Sequence, residues 1–417
     1  MRLALVLWLA LRLPGQGTAV ESYALYVPST YSPERNWPIL YCFDPGARGH
    51  VPVALFRDAA EQYGWIVAAS NVSRNGPFDV SIKAAADMWR ETHERFRIDP
   101  ARVYAAGFSG GARVATALAL STGQVAGVIA CSGGFPGGRT PESVAFAVFA
   151  TGGTEDFNLD EVRDIERGLA AHKSAVRLAI FNGPHEWAPS PTLREALAWL
   201  EFQAGRDRAV WKNSRIELIA SLEAAGKSAE ACAETAALTR DLGDPELGDR
   251  AAACGKSKAV RDALARQAQW RSAEAQYTRD LESQDRTLSD QTLASLRKMA
   301  ARPKDDGERR MARRVVAGAF IRHYEAARDA RARKDLVSAQ SELEWCTRLR
   351  SDDPSVWYAS AAVAAERGDR KKALRDLKTA VGLGFRDAER LKADEAFAKL
   401  RGTSDFDRLV AQCEGRG

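Results

Sequence analysis

The pentapeptide Gly-Phe-Ser-Gly-Gly at 107–111 is the segment of this 417-residue chain with the clearest capacity for chemistry. It has the G-x-S-x-G spacing, in which a serine sits on a sharp turn between a strand and a helix. The apolar residues before it predict a strand, and the alanine-rich run after it predicts a helix. Its glycines remove side chains that would obstruct so tight a turn. Ser109 is therefore a candidate nucleophile, and a solvated serine in an ordinary glycine-rich turn is the alternative.

A serine hydroxyl is a weak nucleophile at neutral pH, so it needs a neighbouring base that a third group orients. In the chain order typical of this turn, the histidine follows the serine. His185 lies in the loop directly after a predicted strand, whereas His172 lies at the polar end of a predicted helix and His323 in the helical tail. His185 is therefore the candidate base, and a histidine in a surface loop is the alternative.

The acid is expected at the end of the strand that precedes the base. Asp156 lies in the turn after the predicted strand 145–151 and would accept the N–H of the imidazole. Glu155 and Asp160 are its nearest competitors, and Asp156 could instead cap the helix that begins near residue 159. The predicted triad is Ser109, Asp156 and His185.

The tetrahedral intermediate of acyl transfer requires N–H donors. Gly110 is one predicted donor, and the second is expected in the loop after the predicted strand 39–43. Pro45 has no N–H, so Gly46 is the first choice there and Ala47 the next, unless the loop is a simple tight turn. Four residues after the predicted strand 65–70 are candidate substrate contacts or turn formers: Asn71, Arg74, Asn75 and Phe78.

The elements that must position these side chains alternate along residues 20–204. Alternating strands and helices predict an α/β domain with a doubly wound, mostly parallel sheet covered on both faces. Such sheets bind ligands at the carboxyl ends of their strands. The predicted strands are 39–43, 65–70, 103–108, 127–132, 145–151 and 176–181, and the predicted helices are 53–63, 80–97, 111–120, 159–171 and 191–202.

Residues 205–417 have helical spacing and no convincing strand pattern. We predict a helical region over 205–319, which can hold degenerate repeats, tetratricopeptide-like repeats over 320–387 and a C-terminal helical cap over 388–417. A generic helical bundle is the alternative. Repeat surfaces usually bind peptides or proteins, so a protein partner is expected. Four pairs of like residues are separated by 34 positions, the period of that repeat: Ala327 and Ala361, Asp335 and Asp369, Ala339 and Ala373, Leu343 and Leu377.

Composition and the N-terminal residues bear on location and partners. The net charge of +5, from 60 basic and 55 acidic residues, argues weakly against nucleic acid as the main partner. Residues 1–19 predict a short secretory signal peptide, and hence a secreted or periplasmic protein. The protein would be cytoplasmic if they instead form a first strand. No apolar run of about 18 residues follows, so no membrane span is expected after removal of the signal. Cys232 and Cys254 are either a disulfide or two separate thiols.

Residues 21–204 resemble the polyhydroxybutyrate-depolymerase and feruloyl-esterase branch of the α/β-hydrolases. The resemblance rests on Ser-Tyr-Ala-Leu-Tyr-Val-Pro at 22–28, the pentapeptide, residues 153–156 and His-Glu-Trp at 185–187. It implies an exported serine esterase that forms an acyl-enzyme. Asp-Pro-Gly at 44–46 replaces the His-Gly of many relatives, and Pro184 stands where glycine commonly precedes the base.

The predicted site is open, because residues 133–144 between two predicted strands are too few for a substantial cap. An open site would admit a bulky or polymeric ester. No metal or organic cofactor is implied. A peptidase of the same fold and a non-catalytic repeat-containing binding protein are the alternatives to an esterase.

Overall fold

The computed structural model describes residues 22–303 and 306–415, so the predicted signal peptide at 1–19 lies outside the described residues. The chain divides into two compact units, Met1–Gln269 and Trp270–Gly417. Within the two described ranges, no helix combines the length and apolar character needed to cross a membrane.

Seven strands form one sheet in the first unit, in the order β1-β3-β2-β4-β5-β6-β7. The edge strand β1 is antiparallel to β3, and every other neighbouring pair is parallel. The predicted α/β domain with a doubly wound, mostly parallel sheet and the all-α region that follows it are thus confirmed. The strands are β1 (Tyr23–Tyr26), β2 (Trp37–Phe43), β3 (Ile66–Ser70), β4 (Ile98–Phe108), β5 (Gly127–Cys131), β6 (Ala147–Gly153) and β7 (Val176–Phe181).

Sixteen α-helices and two short 3₁₀ segments, Pro136–Gly138 and Glu395–Phe397, accompany the sheet in the described ranges. In the first unit and across its end they are α1 (His50–Tyr63), α2 (Phe78–Arg95), α3 (Gly110–Thr122), α4 (Leu159–Ala171), α5 (Ser190–Gln203), α6 (Arg208–Ala224), α7 (Ser228–Leu242), α8 (Pro245–Gly255) and α9 (Lys258–Leu281). The remaining helices are α10 (Arg286–Ala300), α11 (Gly307–Ala332), α12 (Leu336–Leu349), α13 (Pro354–Glu366), α14 (Arg370–Gly382), α15 (Ala388–Ala393) and α16 (Ser404–Cys413).

The sheet is buried on both faces, as the near-continuous apolar strands require. Side chains alternate along β2, so Ile39, Tyr41 and Phe43 enter one core, which α2, α3 and α4 cover. Leu40 and Cys42 enter the opposite core, which α1, α5 and α6 cover. A layer of helices therefore covers each face of the sheet. The ends of the strands are left uncovered by these layers, and a site is expected there.

A buried ionic network joins the helices after residue 204 to the sheet. Arg177 on β7 is 1% exposed. It donates from Nε to Asp241 over 3.0 Å and from Nη1 to Glu234 over 2.7 Å, both on α7. The indole N–H groups of Trp199 and Trp211 also donate to the Asp241 carboxylate, each over 3.0 Å. The helices α6 and α7 are therefore packed into the first unit, and the domain boundary predicted after residue 204 stays a prediction.

A disulfide joins α7 and α8. Cys232 and Cys254 are bonded, with their Cα atoms 5.8 Å apart. The alternative of two separate thiols, which the sequence left open, is not what the structure shows. The bond closes a loop of the kind that limits the freedom of the unfolded chain.

Two helix pairs in the second unit share one turn geometry. Lys334 and Gly368, 34 residues apart, both have positive φ, at 63° and 82°. Asp335 and Asp369 follow with φ and ψ of −82° and 77°, and −81° and 79°. Each aspartate accepts the backbone N–H three residues later and so caps the next helix. The pairs α11–α12 and α13–α14 thus repeat at the expected period, while their assignment as tetratricopeptide repeats stays a prediction.

The substitution Arg177→Met should lower the free energy of unfolding of the first unit by about 3–5 kcal/mol, because it removes the buried cation that pairs with two largely buried carboxylates. Urea unfolding followed by tryptophan fluorescence measures the change. Arg167→Met is the matched control, since Arg167 pairs with Asp164 at an exposed position and should cost below about 1 kcal/mol. Equal losses in the two variants would contradict a stabilising buried network.

Candidate active site

Ser109 occupies a strained turn between β4 and α3. Its φ and ψ are 53° and −119°, a region that non-glycine residues rarely adopt and that costs roughly 1–3 kcal/mol. Its N–H donates to the carbonyl of Cys131 at the end of β5 over 2.8 Å, which holds the turn against the sheet. The hydroxyl is thereby raised at the carboxyl end of a central strand.

Two glycines of the pentapeptide are required by close backbone contacts. A Cβ on Gly107 would lie 2.0 Å from the carbonyl oxygen of Gly111. A Cβ on Gly111 would lie 2.0 Å from the carbonyl oxygen of Phe43. Such distances are far inside van der Waals contact, so the turn can only press against its own helix and against β2 if both positions lack a side chain.

The structure brings the three predicted catalytic side chains together. Nε2 of His185 lies 2.9 Å from Oγ of Ser109, and Nδ1 of His185 lies 2.8 Å from Oδ1 of Asp156. The Asp156 residue is fully buried, and the His185 side chain is 16% exposed. The three groups form a continuous line from a buried carboxylate to an accessible hydroxyl, which is the arrangement that proton abstraction by an oriented imidazole needs.

The loop after β6 holds Asp156 by local bonds. Its Oδ1 accepts the N–H of Asn158 over 2.8 Å, and the Asn158 amide donates to the carbonyl of Ser132 over 2.9 Å. The competitor Asp160 pairs instead with Arg163 at 3.4 Å. A Cβ on Gly153 would lie 2.3 Å from the backbone of the loop that carries His185. The acid and base loops therefore touch directly, which shortens the reach between the two side chains.

Two aromatic rings flank the imidazole, and sequence reasoning missed both. The ring centroids of Phe108 and Phe157 lie 4.7 Å and 4.1 Å from that of His185. Both residues are sequence neighbours of predicted triad members, so adjacency to Ser109 and Asp156 was the available signal. The faces of aromatic rings attract cations, and these rings can stabilise the imidazole when it is protonated.

Asp44, directly after β2, is the centre of a buried polar network. Its carboxylate accepts hydrogen bonds from the backbone N–H of Gly46 over 2.8 Å, from Arg48 over 2.8 and 3.0 Å, and from the indole of Trp187 over 2.8 Å. Trp187 lies two residues after His185. One carboxylate therefore ties the loop after β2 to the loop of the candidate base.

This network engages the two predicted second oxyanion donors. The N–H of Gly46 donates to the Asp44 side chain, and the N–H of Ala47 donates to the Asp44 carbonyl over 3.1 Å. Both groups are directed at one residue of their own loop in this structure. The sequence left both readings open, since Asp-Pro-Gly is compatible with a simple tight turn and with an oxyanion loop. Gly110, the first predicted donor, is the first residue of α3.

Three of the four candidate substrate contacts are engaged elsewhere or stand apart. Oδ1 of Asn71 accepts the N–H of Gly49 over 3.1 Å and so fastens the start of α1. The backbone of Arg74 is bonded to the hydroxyl of Ser81. Phe78 is the first residue of α2 and is 44% exposed. These positions hold the loop or face solvent.

The fourth candidate, Asn75, lies beside the nucleophile. Its N–H donates to the carbonyl of Pro45 over 2.9 Å. A Cβ on Gly110 would lie 1.9 Å from its side-chain oxygen. The side chain of Asn75 thus occupies the space that any larger residue after Ser109 would need.

No family model and no curated protein matches this chain. Among solved structures, a thermostable esterase is similar at 22% identity and a TM-score of 0.33, over 43% of this chain and 58% of that one. A ferulic acid esterase is similar at 16% identity and a TM-score of 0.35, over 43% and 90% of the two chains. Est1E from Butyrivibrio proteoclasticus is similar at 10% identity and a TM-score of 0.36, over 44% and 94%.

The substitution Asp44→Asn should make the Tm of the first unit depend less on pH in the acidic range. Burial opposes ionisation of Asp44, but the hydrogen bonds from Arg48, Trp187 and Gly46 outweigh it and lower its pKa. A lowered pKa stabilises the fold above the unfolded value of about 3.9, and this contribution is lost as the pH falls through the folded value. The wild type should therefore melt above the variant at pH 7, and the gap in Tm should begin to narrow below about pH 4 and shrink further as the pH falls. A gap that stays constant between these conditions would contradict the role of the charge.

Proposed function

We propose that this chain is a serine hydrolase that cleaves carboxylic esters through an acyl-enzyme intermediate. The observation that supports this most is the unbroken line of hydrogen bonds from Asp156 through His185 to Ser109. The three residues follow β6, β7 and β4, so they converge at the carboxyl edge of a parallel sheet, where such folds bind ligands. The strained turn at Ser109 adds to this, because strain of this kind accumulates at functional sites.

The acylation step uses each of these groups once. His185 Nε2 accepts the proton of Ser109 Oγ as the oxygen attacks the ester carbonyl, while Asp156 holds the Nδ1–H of the imidazole. The carbonyl oxygen becomes an oxyanion, to which the N–H of Gly110 can donate. The imidazolium then gives its proton to the departing alkoxide, the alcohol leaves, and the acyl group remains on Ser109.

Hydrolysis of the acyl-enzyme reverses these roles with water as the nucleophile. His185 takes a proton from water, the hydroxide attacks the acyl carbon, and the imidazolium returns the proton to Ser109 as the acid leaves. In both steps the imidazole is transiently a cation. The nearby rings of Phe108 and Phe157, 4.7 Å and 4.1 Å from the imidazole, can favour that state.

An ester is preferred over a peptide because the site has little to select a polypeptide. The connection between β5 and β6 contains one 3₁₀ turn, Pro136–Gly138, and no inserted domain. An exposed connection of this length leaves room for a bulky or polymeric ester. The peptidase alternative predicts comparable kcat/KM on matched ester and amide substrates.

We propose that the second unit binds a protein partner through tetratricopeptide-like repeats. The identical turns at Asp335 and Asp369 support this, since stacked helix pairs of one geometry create extended binding surfaces. We also propose that the protein is exported. The Cys232–Cys254 bond supports this, because disulfides persist in oxidising compartments.

The substitution Ser109→Ala should reduce the hydrolysis of short p-nitrophenyl esters at least about a thousandfold, since no other group replaces the attacking oxygen. It should also abolish labelling of the folded protein by a fluorophosphonate probe. Ser121→Ala, on the same helix α3, is the matched control and should keep full activity and labelling. Ester hydrolysis that survives in the purified Ser109→Ala variant would remove the nucleophile.

The non-catalytic alternative is tested with the same reagents. Folded wild-type protein that neither labels with the probe nor hydrolyses any short-chain ester would favour a binding protein built on a hydrolase fold. We expect instead that the wild type labels, and that kcat/KM for an ester exceeds that for the matched amide by at least about a hundredfold, or about 2.7 kcal/mol.

A further inference from the structure

The site has one obvious oxyanion donor, the N–H of Gly110, and the chemistry calls for a second. We propose that the side-chain amide of Asn75 is that second donor, an assignment that rests on the proposed esterase function. The usual source of the second donor is a backbone N–H in the loop after β2, but Gly46 and Ala47 both donate to Asp44. For Gly46 to serve the intermediate, it would have to leave a carboxylate, and charge-assisted hydrogen bonds are the stronger kind.

The loop that carries Asn75 is held firmly against the loop after β2. The N–H of Asn75 donates to the carbonyl of Pro45 over 2.9 Å, and Gly46 and Arg74 form an antiparallel bridge. On its other side, the hydroxyl of Ser81 on α2 bonds to both the N–H and the carbonyl of Arg74, over 3.2 and 3.1 Å. The backbone of Asn75 is therefore fixed from two directions, which confines its side chain to the region beside Gly110.

The amide of Asn75 lies directly over Gly110. A Cβ built on Gly110 would lie 1.9 Å from Oδ1, 3.0 Å from Cγ and 3.5 Å from Nδ2 of Asn75. Both ends of the amide are thus next to the residue whose N–H is the first donor. Rotation about the Cβ–Cγ bond exchanges the oxygen and the nitrogen. The oxygen is the nearer atom here, so this rotation would give up the present bonds of both ends of the amide and bring one of its two N–H groups towards the oxyanion.

The position of the Asn75 amide explains why residue 110 is a glycine. Many residues could follow a nucleophile if only a backbone N–H were needed there. Here the space beside that N–H is filled by the Asn75 amide, and only glycine leaves room for it. Position 110 and position 75 are therefore coupled, and the coupling can be measured.

The direct test replaces Asn75 with Ala and with the isosteric Asp, which has no N–H to donate. In both variants kcat for a p-nitrophenyl ester should fall by about 10²–10³-fold, as on removal of one oxyanion donor, with KM changed little. The rate of fluorophosphonate labelling should fall in parallel. Asn213→Ala, at an exposed position of α6, is the matched control and should leave both rates and Tm unchanged.

A double variant separates donation from packing. Gly110→Ala alone should impair activity, because the new methyl group collides with the Asn75 side chain. Gly110→Ala combined with Asn75→Ala removes the collision but not the loss of the donor, so its kcat should equal that of Asn75→Ala. A return to wild-type kcat in the double variant would overturn the assignment, because it would show that Asn75 only fills space.

Two further outcomes distinguish this inference from the function on which it rests. If Asn75→Ala and Asn75→Asp keep kcat within about threefold of the wild type while Ser109 remains essential, Asn75 is not a donor and the esterase stands. If the folded wild type neither labels nor hydrolyses esters, both proposals fall.

Discussion

The single constraint on which the site depends is the left-handed backbone at Ser109. A serine keeps a φ of 53° only because the packing around it fixes that backbone conformation. The chain must turn from β4 into α3 within one residue, and the backbone of that turn packs against β2 and against its own helix. The hydrogen bond from the Ser109 N–H to the carbonyl of Cys131 also ties this turn to the end of the neighbouring strand β5. The backbone strain is confined to Ser109, and the packing of the sheet against Gly107 and Gly111 maintains it.

A second organising centre lies one strand away, at the buried carboxylate of Asp44. It gathers donors from its own loop and from the loop of the candidate base, so those segments cannot shift independently. The Arg48 guanidinium balances the charge of this carboxylate, and the Trp187 indole adds a hydrogen bond to it. The N–H groups of Gly46 and Ala47 are both bonded to Asp44 in this arrangement. This is why we proposed a donor from the loop after β3 instead.

The features that could be predicted from the sequence are those that depend on neighbouring residues along the chain. The strands β2–β7 and the order of Ser109, Asp156 and His185 follow from apolar runs and their terminating loops, because parallel strands bring their ends to one edge. The short edge strand β1 was missed, since four residues carry too weak a pattern. The strand β6 runs on to Gly153 instead of ending at residue 151, because its glycines pair with β7.

Side-chain partners between distant segments could not be predicted. Nothing in the sequence indicates that Trp187 and Arg48 meet on Asp44, or that Asn75 lies on Gly110, because such contacts depend on the depth at which loops pack. The tilted contact of the Phe157 ring with His185 likewise depends on how the loops pack. The sequence thus indicates which groups carry the chemistry, and the folded chain determines which bonds are already taken.

The network around Arg177 bears on how this chain can be divided. A fragment that ended at residue 204, where the strand–helix alternation stops, would retain the guanidinium on β7 and the indole of Trp199 but lose the carboxylate they share. It would also uncover the apolar face that Trp211 covers. The sheet-containing part of the chain is therefore not separable at the point where its strand–helix pattern ends. Shuffling it onto another scaffold, in the laboratory or by recombination, would have to carry α6 and α7 along.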